Sequence, residues 1–412
     1  MQLNLLHSYL FNSIFRNHIR MKYLFVLLSF IVCHFLYGQD PVFSQFYATR
    51  TYLNPAYAGF DPGGNFNLNY RDQWFGLPDG SAGPFSPSYR TFNANLEWQF
   101  PCFLQLDELN LGMALNLFRD DAGDAPLSTS GVGLAFSYEY NLLQGNGKLK
   151  RLDVRLGAQL SYMRKTLDSD YLVFSYQLDP VVGLLGDPSS MKFQSNIYSN
   201  TNLGAMIRGQ WGKKSTATYF TFGVTLSNVN EPNVSLQDAA SDLRLPRRLT
   251  VHLGTTHRIP IYIGTKNPWY LSPQFRWDTQ LGGKLNVQTL GLFALQRSFY
   301  LGTFLQYNFP NDPVTNTGII GPWRSRNTTS LILNAGFDLR STWDNYRRGN
   351  RKDKGIILGL SYDINFGGLE LGDTYGVVEL NLQFRLGGSR NKACRIVAPF
   401  DLYKGGECPV RF

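Results

Sequence analysis

The stretch FNANLEWQF, Phe92 to Phe100, decides the fold. In an extended chain successive side chains point to opposite faces. Phe92, Ala94, Leu96, Trp98 and Phe100 then share one face, and Asn93, Asn95, Glu97 and Gln99 the other. The next segment, LNLGMALNLF (109–118), repeats the pattern: Leu109, Leu111, Met113, Leu115 and Leu117 alternate with Asn110, Gly112, Ala114 and Asn116. In GVGLAFSYEYNL (131–142), Val132, Leu134, Phe136, Tyr138, Tyr140 and Leu142 alternate with Gly133, Ala135, Ser137, Glu139 and Asn141. Three consecutive segments thus carry apolar residues on one side and polar or small ones on the other. A soluble sandwich also alternates, but here the strands are long and no helical pattern interrupts them.

Continuing along the chain, the same period predicts strands near 66–74, 91–100, 109–118, 131–142, 152–163, 202–209, 218–227, 248–256, 269–277, 285–296, 298–309, 329–340, 355–366 and 375–386. Fourteen is an even number, and lengths of about 9–12 residues suit tilted strands crossing a bilayer. The seven tryptophans (74, 98, 211, 269, 277, 323 and 343) fall at or near strand ends or in connections, where an interfacial girdle places them. The expected fold is all-β: a transmembrane antiparallel β-barrel of about 14 strands, with an N-terminal periplasmic or plug segment. With both termini periplasmic, the longest connections (75–90, 164–201, 228–247 and 310–328) share the outer side. The opposite side carries basic turns, NGKLKR (146–151), GKK (212–214) and RRGNRKDK (347–354), able to meet an acidic partner.

Composition agrees with a barrel. Among 412 residues, 40 are glycine and 15% aromatic, while the mean hydropathy is slightly negative. A helical membrane protein does not combine these; a barrel does, because only alternate strand residues face lipid. Lys22 and the apolar run Tyr23 to Phe35, followed by Leu36-Tyr37-Gly38, read as a secretory signal peptide ending at residue 38. Residues 1–20 read as the product of a mis-chosen start. Val32 stands before Cys33 where lipid attachment wants a small residue. The 39 Lys and Arg include Arg16, Arg20 and Lys22 of the leader, so after cleavage 36 bases face 30 acids, a net charge of +6. That mild, dispersed excess does not suggest nucleic acid.

Three cysteines follow the leader, Cys102, Cys394 and Cys408. The last two lie in a Pro- and Gly-containing tail of an exported chain and are expected to pair. A metal site is the rival reading, disfavoured because only His252 and His257 remain after the leader. No cofactor is expected: no P-loop, dinucleotide fingerprint or EF-hand spacing occurs, RDDAGDAP (119–126) included. No G-x-S-x-G motif accompanies His252, which reads as a lumen histidine rather than the base of a hydrolase. The polar positions expected to face inward are Asp153, Arg155, Gln159, Arg208, Gln274, Arg276, Asn334, Asp338, Arg340, Asp363, Glu379, Gln383 and Arg385. Their mixed signs predict pairing across the lumen rather than the one-sign ring of an ion-selective pore.

The stretch QDPVFSQFYATRTYLNPAYAGF (39–60) precedes the first strand. Asn54-Pro55 and Asp61-Pro62 with Gly63-Gly64 form turns, and Phe43, Phe46, Tyr47, Tyr52 and Tyr57 require burial. Such a segment tucks into the barrel mouth as a partial plug or serves as a docking surface. Gln39, Asp40, Pro41, Phe43, Ser44, Gln45, Phe46, Leu53, Asn54, Pro55, Ala56, Tyr57, Ala58 and Gly59, followed by YRDQW (70–74), resemble the opening of the PorP/SprF family of the Bacteroidetes type IX secretion and gliding motility system. GLSYDINF (359–366), YGVVELNLQFR (375–385) and the terminal CPVRF (408–412) resemble it too. Val42 and YATRTY (47–52) depart from the commoner form, and 164–247 adds no specific likeness.

The resemblance implies a non-enzymatic outer-membrane barrel that exports or anchors surface proteins. Its partners would be an adhesin carrying a type IX C-terminal domain and periplasmic type IX components. A passive or substrate-specific porin is the alternative. The expected organisation is a leader over 1–38, the motif segment over 39–65, the barrel over 66–386 and the tail over 387–412.

Overall fold

The computed structural model describes residues 42–61, 64–74, 89–99, 111–123, 127–145, 147–167, 178–179, 183–184, 193–212, 218–236, 243–259, 269–282, 285–296, 299–308, 328–339, 354–366 and 375–387. Fourteen strands close one sheet, and a two-residue strand, Phe193–Gln194, adds to it against Thr166 and Leu167. In chain order they are β1 (Gly64–Gln73), β2 (Tyr89–Gln99), β3 (Leu111–Ala122), β4 (Leu127–Gln144), β5 (Leu149–Leu167), β6 (Tyr198–Trp211), β7 (Thr218–Ser227), β8 (Arg248–Ile259), β9 (Trp269–Gln280), β10 (Asn286–Gln296), β11 (Phe299–Asn308), β12 (Thr328–Asp338), β13 (Lys354–Phe366) and β14 (Val377–Gly387). Each strand pairs antiparallel with its sequence neighbours. β14 returns to β1, with Gly64 opposite Gly387 and Gln73 opposite Val377. Every strand of the barrel is thus paired on both sides and the sheet has no open edge.

The alternation settles which face is which. On β4, Val132, Leu134, Phe136, Tyr138 and Tyr140 are exposed while Gly133, Ala135, Ser137 and Glu139 between them are buried. Leu290 on β10 is 62% exposed, and Leu156, Leu301 and Leu305 are more than half exposed. A band of large apolar side chains facing outward all round a closed sheet is a surface made for hydrocarbon.

All fourteen expected strands are present. Several run longer than expected: 131–142 extends to Leu127–Gln144, 152–163 to Leu149–Leu167 and 202–209 to Tyr198–Trp211. Among the described tryptophans, Trp74 follows β1, Trp98 and Trp211 lie at strand ends, and Trp269 opens β9. Trp277 lies inside β9. The leader, Cys102, Cys394, Cys408, Arg340, Trp323, Trp343 and most of the expected outer connections lie outside the described residues.

The inward face departs from the expected pattern on one side of the barrel. Phe293 and Leu295 of β10, Tyr300 and Phe304 of β11, Ile332 of β12 and Ile357 of β13 point inward and are buried. A water-filled lumen would not tolerate them. Something apolar must lie against that wall.

Candidate functional site

What lies there is the segment preceding β1. Phe46, Tyr47, Leu53, Tyr57 and Phe60 are buried in one cluster with Tyr270, Phe293, Tyr300 and Phe304. The segment is a plug, as one of the two expected roles had it, but it is seated deeper than the barrel mouth. The segment occupies the lumen itself, because its Asn54-Pro55-Ala56 turn meets Gly157 and Gly204, which lie well inside β5 and β6.

Local sequence shapes the segment. Arg50–Leu53 makes one helical turn. Asn54 then takes extended backbone, and its Oδ1 accepts from Ala56 N at 2.9 Å. Pro55 begins the 3-10 turn Pro55–Tyr57, where its fixed φ and missing N–H cost nothing. Gly59 lies at φ +58°, and a Cβ there would stand 2.5 Å from the Trp98 carbonyl oxygen. Only glycine fits.

Four sets of contacts hold the segment. Ser44 N and Gln45 N donate to the two carboxylate oxygens of Glu379 at 2.8 and 3.0 Å. Gln45 Nε2 donates to the Glu379 carbonyl at 2.7 Å, and Ser44 Oγ to the Asp363 carboxylate. Asn54 Nδ2 donates to the Ala205 carbonyl at 3.1 Å. Because Asn54 Oδ1 is taken by Ala56 N, it is the amide nitrogen that faces His252 Nε2 at 3.2 Å, and His252 accepts.

The third set is ionic. Arg155 Nε donates to Ala56 O at 2.9 Å, one terminal nitrogen to Ala58 O at 2.8 Å, and the other to Glu139 at 2.5 Å. Arg151 and Arg208 reach Asp153 and Glu139. Arg50 reaches Asp61 at 2.9 Å and Glu97 at 3.6 Å. Four guanidinium groups thus face four carboxylates in one buried, charge-balanced cluster. Phe60 lies among them, its ring centroid 4.6 Å from Arg208 and 5.5 Å from both Arg50 and Arg155. A desolvated cation over an aromatic face is attracted by the ring quadrupole. Burial raises the Tyr57 phenol pKa, although Arg50, Arg208 and Arg155 act to lower it.

The last set is aromatic. Tyr47 meets Phe293 edge-on with centroids 4.9 Å apart, and Phe46 meets Phe304 at 5.6 Å. Offset and edge-to-face geometries add stabilisation beyond burial alone. A void of only about 10 Å³ remains between Phe43, Phe46, Tyr52, Leu53 and the β8–β9 wall.

The mixed inward charges do pair, as expected, but along and between neighbouring strands rather than across the lumen. Arg151 and Asp153 share a strand, Arg155 and Glu139 sit on neighbouring strands, and the chain segment fills the space between the walls. Phe43, Ser44, Gln45, Phe46, Asn54, Pro55, Ala56, Tyr57 and Gly59 all lie in this segment, and all are buried. Gln39, Asp40 and Pro41 lie outside the described residues. His252 is enclosed by Asn54 and by the Tyr57 ring at 5.5 Å, and serves as a hydrogen-bond acceptor for the segment.

Glu379 is the anchor of the segment's start. Glu379→Ala removes the acceptor of two backbone N–H groups, each costing about 1–3 kcal/mol when left buried and unpaired. Amide exchange at Ser44 and Gln45, followed by mass spectrometry, is expected to accelerate at least about tenfold, with β5 amides unchanged. Equal exchange in both proteins would remove this anchor.

A family model described as "Type IX secretion system membrane protein PorP/SprF" matches residues 35–384. No curated protein matches the chain. Among solved structures, a Pseudomonas aeruginosa FadL homologue is 12% identical, covering 82% of this chain and 94% of its own, with a TM-score of 0.37. The Pseudomonas putida toluene transporter TodX is 13% identical over 85% and 98%, with a TM-score of 0.35. The Acinetobacter baumannii outer membrane protein Omp33 is 8% identical over 79% and 99%, with a TM-score of 0.34. At such distances the architecture stands on the strand pairing itself.

Proposed function

The chain belongs to the PorP/SprF family of type IX secretion system membrane proteins, and from that premise we propose that it supports export or surface anchoring of a protein bearing a type IX C-terminal domain, such as a gliding adhesin. It is an outer-membrane β-barrel, and the role proposed for it is non-enzymatic. The observation that carries the proposal is the filled lumen. Residues 42–61 pack against both the aromatic and the ionic wall. A barrel so occupied offers its rims and loops to partners instead of a water-filled path. The same fact weighs against the rival reading of a passive or substrate-specific porin.

In this reading Phe43 to Gly59 act by keeping the lumen filled, and Gln39, Asp40 and Pro41 continue that segment. The basic turn around Lys148 and Lys150, at the end where β1 begins, faces periplasmic type IX components. Residues 1–38 are a cleaved leader, and Cys394 and Cys408 form a disulfide in the tail.

The test is a comparison of surface and culture-fluid proteins with and without this gene in its own host. Loss of one or a few large proteins carrying a type IX C-terminal domain is the expected result for a dedicated partner. Loss of all of them indicates a core component. An unchanged set together with slower solute uptake would sink the secretion reading in favour of the porin.

A further inference from the structure

The outward face of the barrel carries one continuous line of residues whose chemistry changes along its length. Arg164 stands opposite Ser130, Ser130 opposite Arg119, Arg119 opposite Phe92 and Phe92 opposite Tyr70. The line continues from Tyr70 through Leu380, Leu360 and Ala335 to Leu301. Arg164 and Phe92 lie near the strand ends joined by the long connections 168–197 and 74–88, whereas Leu301 lies near the start of β11, which only residues 297–298 separate from β10. Long connections face the cell exterior in outer-membrane barrels. The line therefore begins at the outer limit of the barrel and descends towards the periplasm.

Its outer end is cationic. Arg119 and Arg164 flank Ser130 on adjacent strands, directly above the exposed apolar residues Leu117, Val132 and Tyr162 of the same three strands. The Arg119 side chain is 63% exposed and uses only its Nε on Asp121, at 3.0 and 3.2 Å. Among the described residues, the terminal nitrogens of Arg119 and the whole guanidinium of Arg164 meet no acceptor. Arg90, opposite Asp121, comes no closer than 3.9 Å to Asp72. Three guanidinium groups thus share two carboxylates, and the excess is local. At the outer ends of β7 to β11 and β13, the outward positions Leu226, Leu249, Trp277, Gln288, Tyr307 and Ile364 are uncharged. Guanidinium groups with exposed N–H donors on either side of a hydroxyl match the oxygens of a phosphate.

From Phe92 onward the line is apolar and the wall is hollowed. Ala335 is the short residue between Leu360 and Leu301, and around it the surface forms an open groove of about 750 Å³ that runs from Phe92 and Tyr70 to Phe299 and Leu301. Five ladders separate Phe92 from Leu301, which at ~4.8 Å each is roughly 24 Å. With strands tilted by about 40° the groove descends roughly 15 Å, one leaflet of a hydrocarbon core about 30 Å thick. A groove of that depth fits an acyl chain, and the cations at its outer mouth select one that carries an anion there. The next register row outward, Thr166, Ser128, Asp121 and Arg90, adds hydroxyl, carboxylate and guanidinium groups that suit the hydroxyls of a sugar headgroup.

We propose that this line binds one phosphorylated glycolipid of the outer leaflet, with the phosphate held between Arg119, Ser130 and Arg164 and an acyl chain lying in the groove over Ala335. The test is native mass spectrometry of the full barrel in detergent, titrated with monophosphoryl lipid A, with the same lipid after phosphatase treatment, and with phosphatidylglycerol. Monophosphoryl lipid A is expected to be retained as a single adduct, at least about tenfold more tightly than either of the others. Retention should fall about tenfold or more in the double variant Arg119→Gln, Arg164→Gln, and again in Ala335→Phe, which fills the groove. Arg247→Gln removes an exposed arginine at the same end but outside the line, and should change nothing. Retained heat-modifiable gel migration shows that a variant is folded. The two arginines stand outward at the rim, so their variant decides the question alone if Ala335→Phe does not fold. Equal retention of the dephosphorylated lipid or of phosphatidylglycerol, an equal loss in Arg247→Gln, or unchanged retention in the folded variants overturns the proposal.

Discussion

Gly157→Val is expected to drive the N-terminal segment out of the lumen. A Cβ at Gly157 would lie 2.3 Å from Ala56 N, 2.4 Å from Pro55 C and 2.6 Å from Ala56 Cα. These are backbone atoms, so no side-chain rotation relieves the clash. One partner must move, and β5 is paired to β4 and β6 on either side, so the segment yields. Arg50 is the only tryptic site between residues 42 and 61 and is 3% exposed. In the native barrel it should resist trypsin, and in Gly157→Val it should be cut, with ion conductance appearing in planar bilayers. Gly147→Ala is the control, since nothing lies within 4 Å of a Cβ built there. An uncut Arg50 in the folded variant would show that the segment is not seated against β5.

Arg155→Met is expected to produce the largest loss of stability. Arg155 is 2% exposed and supplies donors to Ala56 O, Ala58 O, Ser137 Oγ and Glu139. Removing one partner of a buried ion pair costs about 3–5 kcal/mol. Because Arg151 and Arg208 also reach Glu139, the lower end, about 3 kcal/mol, is expected for the charge; the Ala56 carbonyl loses the Arg155 donor and adds to it, whereas Ala58 O keeps Ser137 Oγ at 2.7 Å. Arg155→Lys should recover only part of this, since an ammonium cannot reproduce the planar fork that spans Glu139 and both carbonyls. Guanidinium unfolding followed by tryptophan fluorescence measures both variants. Equal stability of Arg155→Lys and the native protein would show that charge alone matters there.

The barrel was legible in the sequence because hydrocarbon on one face and polar groups on the other impose a period of two. The period fades where strands leave the apolar belt, so Ser128, Thr129 and Ser130 at the start of β4, and Arg164 and Lys165 near the end of β5, gave no signal although they are paired. The need of Phe43, Phe46, Tyr47 and Tyr57 for burial was equally readable. Their destination was not, because the alternation rule assigns apolar residues outward, and Phe293, Tyr300 and Phe304 break it. A signal for them existed. In LGLFALQ (290–296) and FYLGTFLQY (299–307) both faces are largely apolar, which is incompatible with water on the inner side. Gly157 and Gly204 were a second signal, since glycine inside a strand often marks a close approach of another backbone.

The pairing of β1 with β14 bears on assembly. Every other ladder of the barrel joins strands that follow one another, but this one joins the two ends of the chain, and closing a longer loop costs more entropy. Glu379 of β14 accepts from Asn69 of β1 at 2.9 Å and, with the same carboxylate, from the backbone of Ser44 and Gln45. The residues clamped there are more than 300 positions apart in sequence. The N-terminal segment therefore acts as a pin across the final seam, and a chain that arrives without it must close its last ladder unaided.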